Sequence, residues 1–458
     1  MALRCFFRSL FSFLLAIAQE FLNCVPQKNI MAKPLFSPIL VTRNYCRICG
    51  SKALTPVLSL GDQYIAGAFA DPSGKPPVQR RIPLDLVRCD PSQDQNACGL
   101  VQLKHSVPPN ILYRSYWYRS GINQTMRDNL AGIAHQAEEK VPLQAGDLVI
   151  DIGCNDGTLL KSYRVPGLRL LGFDPATNII EYARAQGIPV VNDFFSAESL
   201  RAVYSEEKPK IITSIAMFYD LENPHLFVQD IKNILHEQGI WILELSYLPT
   251  MLRMNSFDTV CHEHLEYYAL APMERLLAEH GLAVVDVSLN DMNGGSFRVM
   301  AGHAGKATMT EPARTRVQDL RLSEFELALD SDIPFAAFRK NIAKIKKELQ
   351  AFLKKAKKDK KLVHGYGAST KGNTILQFCD ITPELMPAVA DRNKDKWGSY
   401  TIGTNIPIIS EEASRKEKPD FYLVLPWHFI AEMKKRESDF LKRGGKFVLP
   451  MPQVRLES

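Results

Sequence analysis

Several common features are missing from this 458-residue chain, and each absence removes a class of protein. Nine cysteines, unevenly spread, are too few to staple a disulfide scaffold, so the fold must rest on a buried core and a reducing compartment is favoured. Outside the N-terminal stretch no segment is apolar for long enough to span a membrane. The formal net charge of +6 is small for this length, and much of it sits in one helix-like run, Lys344 to Lys361. Apolar residues recur there at helical spacing, which reads as a solvated helix face and not as a nucleic-acid surface. There is no HExxH and no internal repeat of short period, and the glycine turns stop short of a full GxGxxG.

What is present begins with Leu148 to Leu160, LVIDIGCNDGTLL, an apolar strand that runs through Asp151 into a Gly-Cys-Asn-Asp-Gly turn. Gly153 and Gly157 let backbone approach a ligand closely, and a helix is expected to follow, with unpaired N–H groups at its start. Without the third glycine a dinucleotide is disfavoured, which leaves a nucleoside or amino-acid ligand. Asp174 closes the next strand, LRLLGFDP, and an acid there suits ribose hydroxyls. The strands LVIDIG, LRLLGFD, PVVNDF, IITSIAMF and IWILELSY alternate with helical patterns, the signature of a parallel sheet with crossover helices. A polar stretch at Gly302 to Thr310 interrupts the pattern. A second alternation then runs through KLVHGYGAS, PAVADRN, FYLVLPW and KFVLPMP. The fold class is therefore α/β, with two such units behind a cysteine-bearing module.

That module carries Cys46 and Cys49 as a CxxC knuckle, with Cys89 and Cys98 downstream near turns. Four thiolates suit a closed tetrahedral zinc site, although the eight residues between the second pair make the pattern less specific, and plain buried thiols remain the alternative. Further on stands Cys261-His262-Glu263-His264. Two histidines flanking a glutamate can supply a general base and the carboxylate that orients it; a hydrogen-bonded structural cluster is the alternative. At the N-terminus Arg4 and Arg8 precede the apolar run Leu10 to Ala18, like a signal peptide, while Met31 opens a polar stretch that would serve as a start. The candidate zinc thiols and nucleotide-type turn belong to cytosolic chemistry, so the stretch is read as an extension and the protein as cytoplasmic.

The ordered set CRICG, YWYRSGINQTMR, VIDIGCNDGTLL, NDFF, FDTVCHEHLEYY, NGGSFRV and GYGASTKGN resembles the three-domain sugar C-methyltransferases, which act on nucleotide-linked 4-keto sugars. The resemblance implies a leader or extension over 1–40 and a zinc-binding module over 41–125. It implies an S-adenosylmethionine-dependent class I methyltransferase domain over 126–302 and a C-terminal Rossmann-like substrate domain over 303–458. It further implies that Asp151, Gly153, Asn155 and Gly157 line the methionine side of the cofactor, that Asp174 meets its ribose, and that Asp193 and Phe194 meet its adenine. His264 and Tyr118 become candidate bases, with Glu263 beside the histidine. His262, Ser369, Lys371 and Asn373 become substrate-binding residues, Lys371 facing the phosphates. Cys46, Cys49, Cys89 and Cys98 would hold a structural zinc. Cys261 and Phe218 stand where the family carries Tyr and His, which points to a possible change of acceptor. Two other readings stay open: an NAD-dependent sugar-nucleotide oxidoreductase using the GYGAST turn with Asp391, and a zinc-bearing binding protein without catalysis. The expected partner is a small molecule; no nucleic acid or stable membrane span is implied, and oligomeric state is not legible.

Overall fold

The computed structural model describes residues 40–70 and 80–458, so the N-terminal signal-like stretch lies outside the described residues. The cysteine-bearing segment forms an antiparallel sheet of β1 (Leu54–Gln63), β2 (Ile82–Cys89) and β3 (Val101–Leu103). Helix α1 (Gln124–Lys140) follows, started by Asn123, whose side chain accepts the Thr125 N–H at 2.9 Å.

The central sheet contains β4 (Leu148–Ile152), β5 (Arg169–Phe173), β6 (Val190–Val191), β7 (Ile211–Ile215) and β8 (Ile240–Ser246). Next along the chain, β9 (Glu266–Tyr267) leaves this sheet and pairs antiparallel with β3, so the segment after the CHEH run completes the N-terminal sheet. Strands β10 (Leu282–Asn290) and β11 (Ser296–His303) return to the central sheet, whose order is β10-β11-β8-β7-β4-β5-β6 with β11 antiparallel to its neighbours. Every residue of β4 is buried, as a parallel strand covered on both faces must be. The order reverses between β4 and β7, and the crevice at that switch point is where open α/β sheets bind ligands.

The helix expected directly after β4 is not there. Asn155 and Gly157 adopt left-handed φ of 52° and 79°, Asp156 Oδ1 accepts the Thr158 hydroxyl at 2.6 Å, and only a 3-10 turn, Leu160–Ser162, forms before Pro166. Local side-chain bonding competes with helix here, and the residue before a proline disfavours helical backbone.

The second unit starts with α2 (Ile333–Lys358), which buries Phe335, Phe338, Ile342, Ile345, Leu349 and Leu353 and turns its lysines outward. Strand β12 (Val363–Tyr366), helix α3 (Thr370–Phe378) and β13 (Val389–Asp391), β14 (Ile408–Ser410), β15 (Phe421–Val424), β16 (Lys446–Leu449) and β17 (Arg455–Glu457) form a sheet ordered β14-β13-β12-β15-β16-β17. All but the last strand run parallel.

Asn373 belongs to the joint between units and not to a ligand site. It is 1% exposed, and its amide donates to the carbonyls of Ala66 at 2.8 Å and Ala68 at 3.2 Å. Asn373→Ala should therefore cost about 1–3 kcal/mol by leaving buried acceptors unpaired. Denaturant unfolding measures this; unchanged stability with weakened acceptor binding would return Asn373 to the substrate.

Candidate functional site

A cavity of about 370 Å³ opens at the switch point of the central sheet. Residues of the second unit, among them Ser369, Lys371 and His428, close it from the other side. Its wall carries Asp151, Asp174, Asp193, Asp220, Glu222, Glu244 and Glu263, whereas Lys371 is its one lysine and no arginine lines it among the described residues. Arginines behind the wall pair with three of these acids: Asp193 with Arg114 at 3.0 Å, Glu244 with Arg298 at 2.7 Å, and Glu222 with Arg43. Asp151, Asp174, Asp220 and Glu263 have no such partner within 4.0 Å among the described residues.

Gly153, Asn155, Asp151, Asp174, Asp193 and Phe194 gather on one side of this cavity. Asp151 takes the Thr213 hydroxyl at 2.6 Å, yet burial pushes its carboxyl up to about 7. Asp174 accepts the N–H of Asn155 at 2.9 Å and of Ala176 at 2.8 Å, which fixes the carboxylate at the tip of β5 with lone pairs to spare. Asn155 spends its amide on the protein: Oδ1 takes the Ser120 N–H at 3.0 Å and Nδ2 donates to the Tyr118 carbonyl at 3.0 Å. The glycine turn thereby holds the YRSG segment in place. Phe194 lies under the Arg114 guanidinium, 5.1 Å from its ring centre. Gly157 does not reach the cavity; a Cβ there would stand 3.0 Å from Ala183 Cβ, so its role is close packing. An acid-lined cradle without arginine suits a nucleoside that carries positive charge and repels a pyrophosphate, which fits S-adenosylmethionine.

Glu263, His264, Tyr118 and Lys371 face the other side. His264 Nδ1 meets the Thr259 carbonyl at 2.8 Å, so Nδ1 carries the hydrogen and Nε2 keeps its lone pair. Burial, and then the Lys371 charge, hold this imidazole down at about 3, so it is neutral in the free enzyme. The Tyr219 ring covers it with ring centres 4.3 Å apart. Tyr118 stands 42% exposed at the rim. Glu263 Oε1 accepts the Gly67 N–H at 2.7 Å, and Oε2 is buried without a partner, as is Asp220 Oδ1. Desolvation raises both carboxyls. His262 points elsewhere: its Nε2 meets the Ile82 carbonyl at 3.0 Å in the N-terminal sheet. Cys261 and Phe218 do not line the cavity either. Phe218 is packed with Phe227, Trp241 and Tyr268 in the core, so neither residue bears directly on the choice of acceptor.

A second cavity, about 140 Å³, shares Tyr118, Ser369, Pro426 and Phe429 with the first. It lies at the β12–α3 turn and is mixed in charge: Arg119 stands in its wall beside Trp117, while Arg392, Lys396 and Arg436 pair with Glu432, Asp391 and Glu411 of the same wall. Ser369 caps α3 by accepting the Gly372 N–H at 3.0 Å. Asp391 takes the N–H groups of Ala368 and Asn393, each at 2.7 Å, so it braces its own turn.

Away from these cavities, Cys46, Cys49, Cys89 and Cys98 bring their sulfurs within 4.8 Å of one another. Cys46 and Cys98 are 3.5 Å apart and Cys49 and Cys89 3.3 Å. A tetrahedral zinc with bonds of about 2.3 Å spaces sulfurs by about 3.8 Å, so the cluster is close to that frame. The Ile48 N–H points at Cys46 Sγ from 3.4 Å, as a metal knuckle requires.

The sequence reading missed Tyr113, Tyr116, Tyr219, Asp220, Glu244 and His428, all of which line the larger cavity. Tyr113 and Tyr116 lie in the same aromatic run as Tyr118, and Asp220 and His428 follow parallel strands, where ligand crevices form; those were available signals. For the metal, protein purified without chelators should carry about one zinc per chain by elemental analysis, and Cys46→Ser should melt the N-terminal sheet first. Metal-free protein of unchanged stability would leave only buried thiols.

Comparison with known proteins adds three family models in chain order: a zinc binding domain over residues 46–113, a methyltransferase domain over 118–287 and a C-methyltransferase C-terminal domain over 291–452. The C-methyltransferase NovU of Streptomyces niveus is 29% identical over 414 residues, covering 90% of this chain and 96% of that protein. A ubiquinone biosynthesis O-methyltransferase of Glaesserella parasuis is 28% identical over 102 residues, 21% of this chain and 43% of that one. Among solved structures, magnesium protoporphyrin IX methyltransferase from Synechocystis with bound S-adenosylmethionine aligns at 11% identity, covering 39% of this chain and 79% of that chain, with a TM-score of 0.30. The protein is a methyltransferase and belongs to the family of C-methyltransferases that join a zinc binding domain, a methyltransferase domain and a C-methyltransferase C-terminal domain.

Proposed function

We propose that this enzyme methylates a carbon beside a carbonyl on a nucleotide-linked keto-deoxysugar, with His264 as the base. The observation that carries the reading is the acid-lined larger cavity, which holds Lys371 as its one lysine and no arginine among the described residues, beside a smaller cavity that adds Arg119, Arg392, Lys396 and Arg436. S-adenosylmethionine, held by the Asp151, Asp174 and Asn155 side, supplies a methyl group on a sulfonium to a carbon nucleophile. Asp174 offers its spare lone pairs to the ribose, and Asp193 and Phe194 stand where an adenine would lie. The sugar enters the half with His264, Glu263 and Tyr118, and its diphosphate extends past Ser369 toward Arg119 and Arg392. His264 Nε2 then takes the acidic proton next to the carbonyl, its tautomer fixed by Thr259. Tyr118 is the rival base, placed by Asn155. Free thiolates kept for zinc suit a reducing compartment such as the cytoplasm.

Two alternatives lose ground. A nicotinamide oxidoreductase built on the GYGAST turn finds no support in the family models, which match a methyltransferase domain and a C-methyltransferase C-terminal domain. A zinc-bearing binding protein without catalysis gains nothing from Cys261 and Phe218, the departures from the family pattern, since neither lines the cavity.

Asp151 gives a pH test. Its folded pKa is raised to about 7, so a cationic ligand should bind more tightly as pH climbs through that value and the carboxylate forms. Calorimetry of S-adenosylmethionine should show this dependence in the wild type and less of it in Asp151→Asn. Equal slopes would remove Asp151 from the site. Asp174→Ala should weaken the same ligand by about 1.5–3 kcal/mol.

For the base, His264→Gln should abolish methyl transfer, and solvent deuterium should no longer enter the acceptor carbon, while cofactor and acceptor affinity stay nearly intact. If Tyr118→Phe shows that pattern and His264→Gln keeps exchange, the roles are reversed. Normal exchange and transfer in both variants would contradict enolate chemistry at this site.

A further inference from the structure

Lys371 has a position that phosphate binding does not explain. It sits in the first turn of α3 and reaches into the larger cavity, where it is the one lysine and no arginine accompanies it among the described residues. Its ammonium donates to the Asn293 carbonyl. An ammonium has three N–H donors, so two remain for a ligand. No carboxylate lies within 4.0 Å of it among the described residues, and Asp258, the acid nearest in effect, has Oδ2 engaged by Trp427 Nε1 at 2.9 Å.

Lys371 lines the same cavity as His264 and His428, and the charged groups that act on it are Asp258 and Cys261. Burial, and then its charge, depress both imidazoles, so the ammonium stands within electrostatic reach of the candidate base. The smaller cavity supplies Arg119, which has no ion-pair partner within 4.0 Å among the described residues, beside Arg392, Lys396 and Arg436, which pair with Glu432, Asp391 and Glu411. In the larger one Lys371 is the one lysine and no arginine accompanies it among the described residues, a single cation where a diphosphate carries at least two negative charges. The charge missing there is the one that forms during reaction.

Building on the enolate reading above, we propose that Lys371 is a catalytic residue whose ammonium receives the acceptor's carbonyl oxygen as that oxygen becomes an oxyanion. His264 Nε2 forms a bond to the proton and the carbon–hydrogen bond breaks. Its electron pair becomes the carbon–carbon π bond, and the carbonyl π pair moves onto oxygen. The imidazolium keeps the proton and the ammonium balances the oxyanion without giving up its own. Charge stabilisation by a fixed donor in a site closed to water is the largest single effect in reactions of this type.

The test uses the zinc-loaded full chain with S-adenosylhomocysteine and a nucleotide-linked 4-keto-6-deoxysugar in deuterated water. Methyl transfer cannot occur, so deuterium entry at the acceptor carbon reads enolate formation alone. Lys371→Gln should slow entry by about 100-fold or more, the scale of a lost oxyanion donor. Affinity for the nucleoside diphosphate alone, measured by calorimetry, should hardly change. In the wild type, exchange should fall at high pH below the ordinary lysine value of 10.5, because burial lowers this ammonium's pKa. Lys371→Arg, which keeps the cation if the glutamine variant does not fold, should retain part of the exchange and lose that basic limb. Weakened diphosphate binding with normal exchange would overturn the proposal and return Lys371 to the phosphates. An unchanged basic limb in Lys371→Arg would overturn it as well. If the wild type methylates the sugar but never exchanges, the enolate reading itself fails and this proposal falls with it; loss confined to the Lys371 variants' expected behaviour leaves that reading standing.

Discussion

Uncompensated carboxylates around one enclosed space set the terms for the rest of this molecule. Burying an ionised carboxylate without a partner is costly, and proteins answer by pairing it, neutralising it or leaving it for a ligand. All three answers occur here. Glu244 is buried and paired to Arg298, while the more exposed Glu222 and Asp193 pair with Arg43 and Arg114. Asp220 and Glu263 are pushed toward the protonated form by desolvation, and Asp220 also by the charges of Glu263 and Glu266. Asp151, held near 7, and Asp174, raised by burial and anchored by two backbone N–H groups, have no cationic partner within 4.0 Å among the described residues. A ligand that carries its own positive charge is the kind such a wall suits.

Several local devices keep that arrangement in register across three parts of the chain. Asn155 ties the glycine turn to the Tyr118 segment with both ends of its amide. Gly67 brings the N-terminal sheet so close to Glu263 that a Cβ would stand 2.1 Å from Oε1. Strand β9 carries the CHEH segment out of the central sheet and pins it to β3. Asn373 docks the second unit on the backbone of Ala66 and Ala68. The half of the cavity that holds His264 and Glu263 is thus assembled at a junction, which is why one strand-to-helix turn alone could not specify it.

The parts of this picture that were legible in the sequence follow from local periodicity. Apolar strands such as Leu148–Ile152 announce a parallel sheet because both of their faces must be buried, and the lysine run of α2 announces a solvated face because its apolar residues recur at helical spacing. Cysteine spacing carried the metal cluster, even with the second pair loosely spaced. What was not legible depends on direction. His262 and His264 are two residues apart on the chain, yet one turns to Ile82 and the other to the cavity. Gly157 and Gly153 share a turn, yet one packs on Ala183 and only the other lines the site. The absent helix after β4 reflects Asp156 bonding its own neighbours, a competition that propensity does not register. Asp220 and His428 acquire meaning only once the two sheets are placed face to face.

Methyl transfer from carbon-13-labelled S-adenosylmethionine to a nucleotide-linked 4-keto-6-deoxysugar, followed by carbon NMR of the product, tests the central claim directly. A labelled methyl bonded to a ring carbon, with one-bond carbon–carbon coupling when the sugar is also labelled, is the expected result. A methyl carried on oxygen or nitrogen would contradict it.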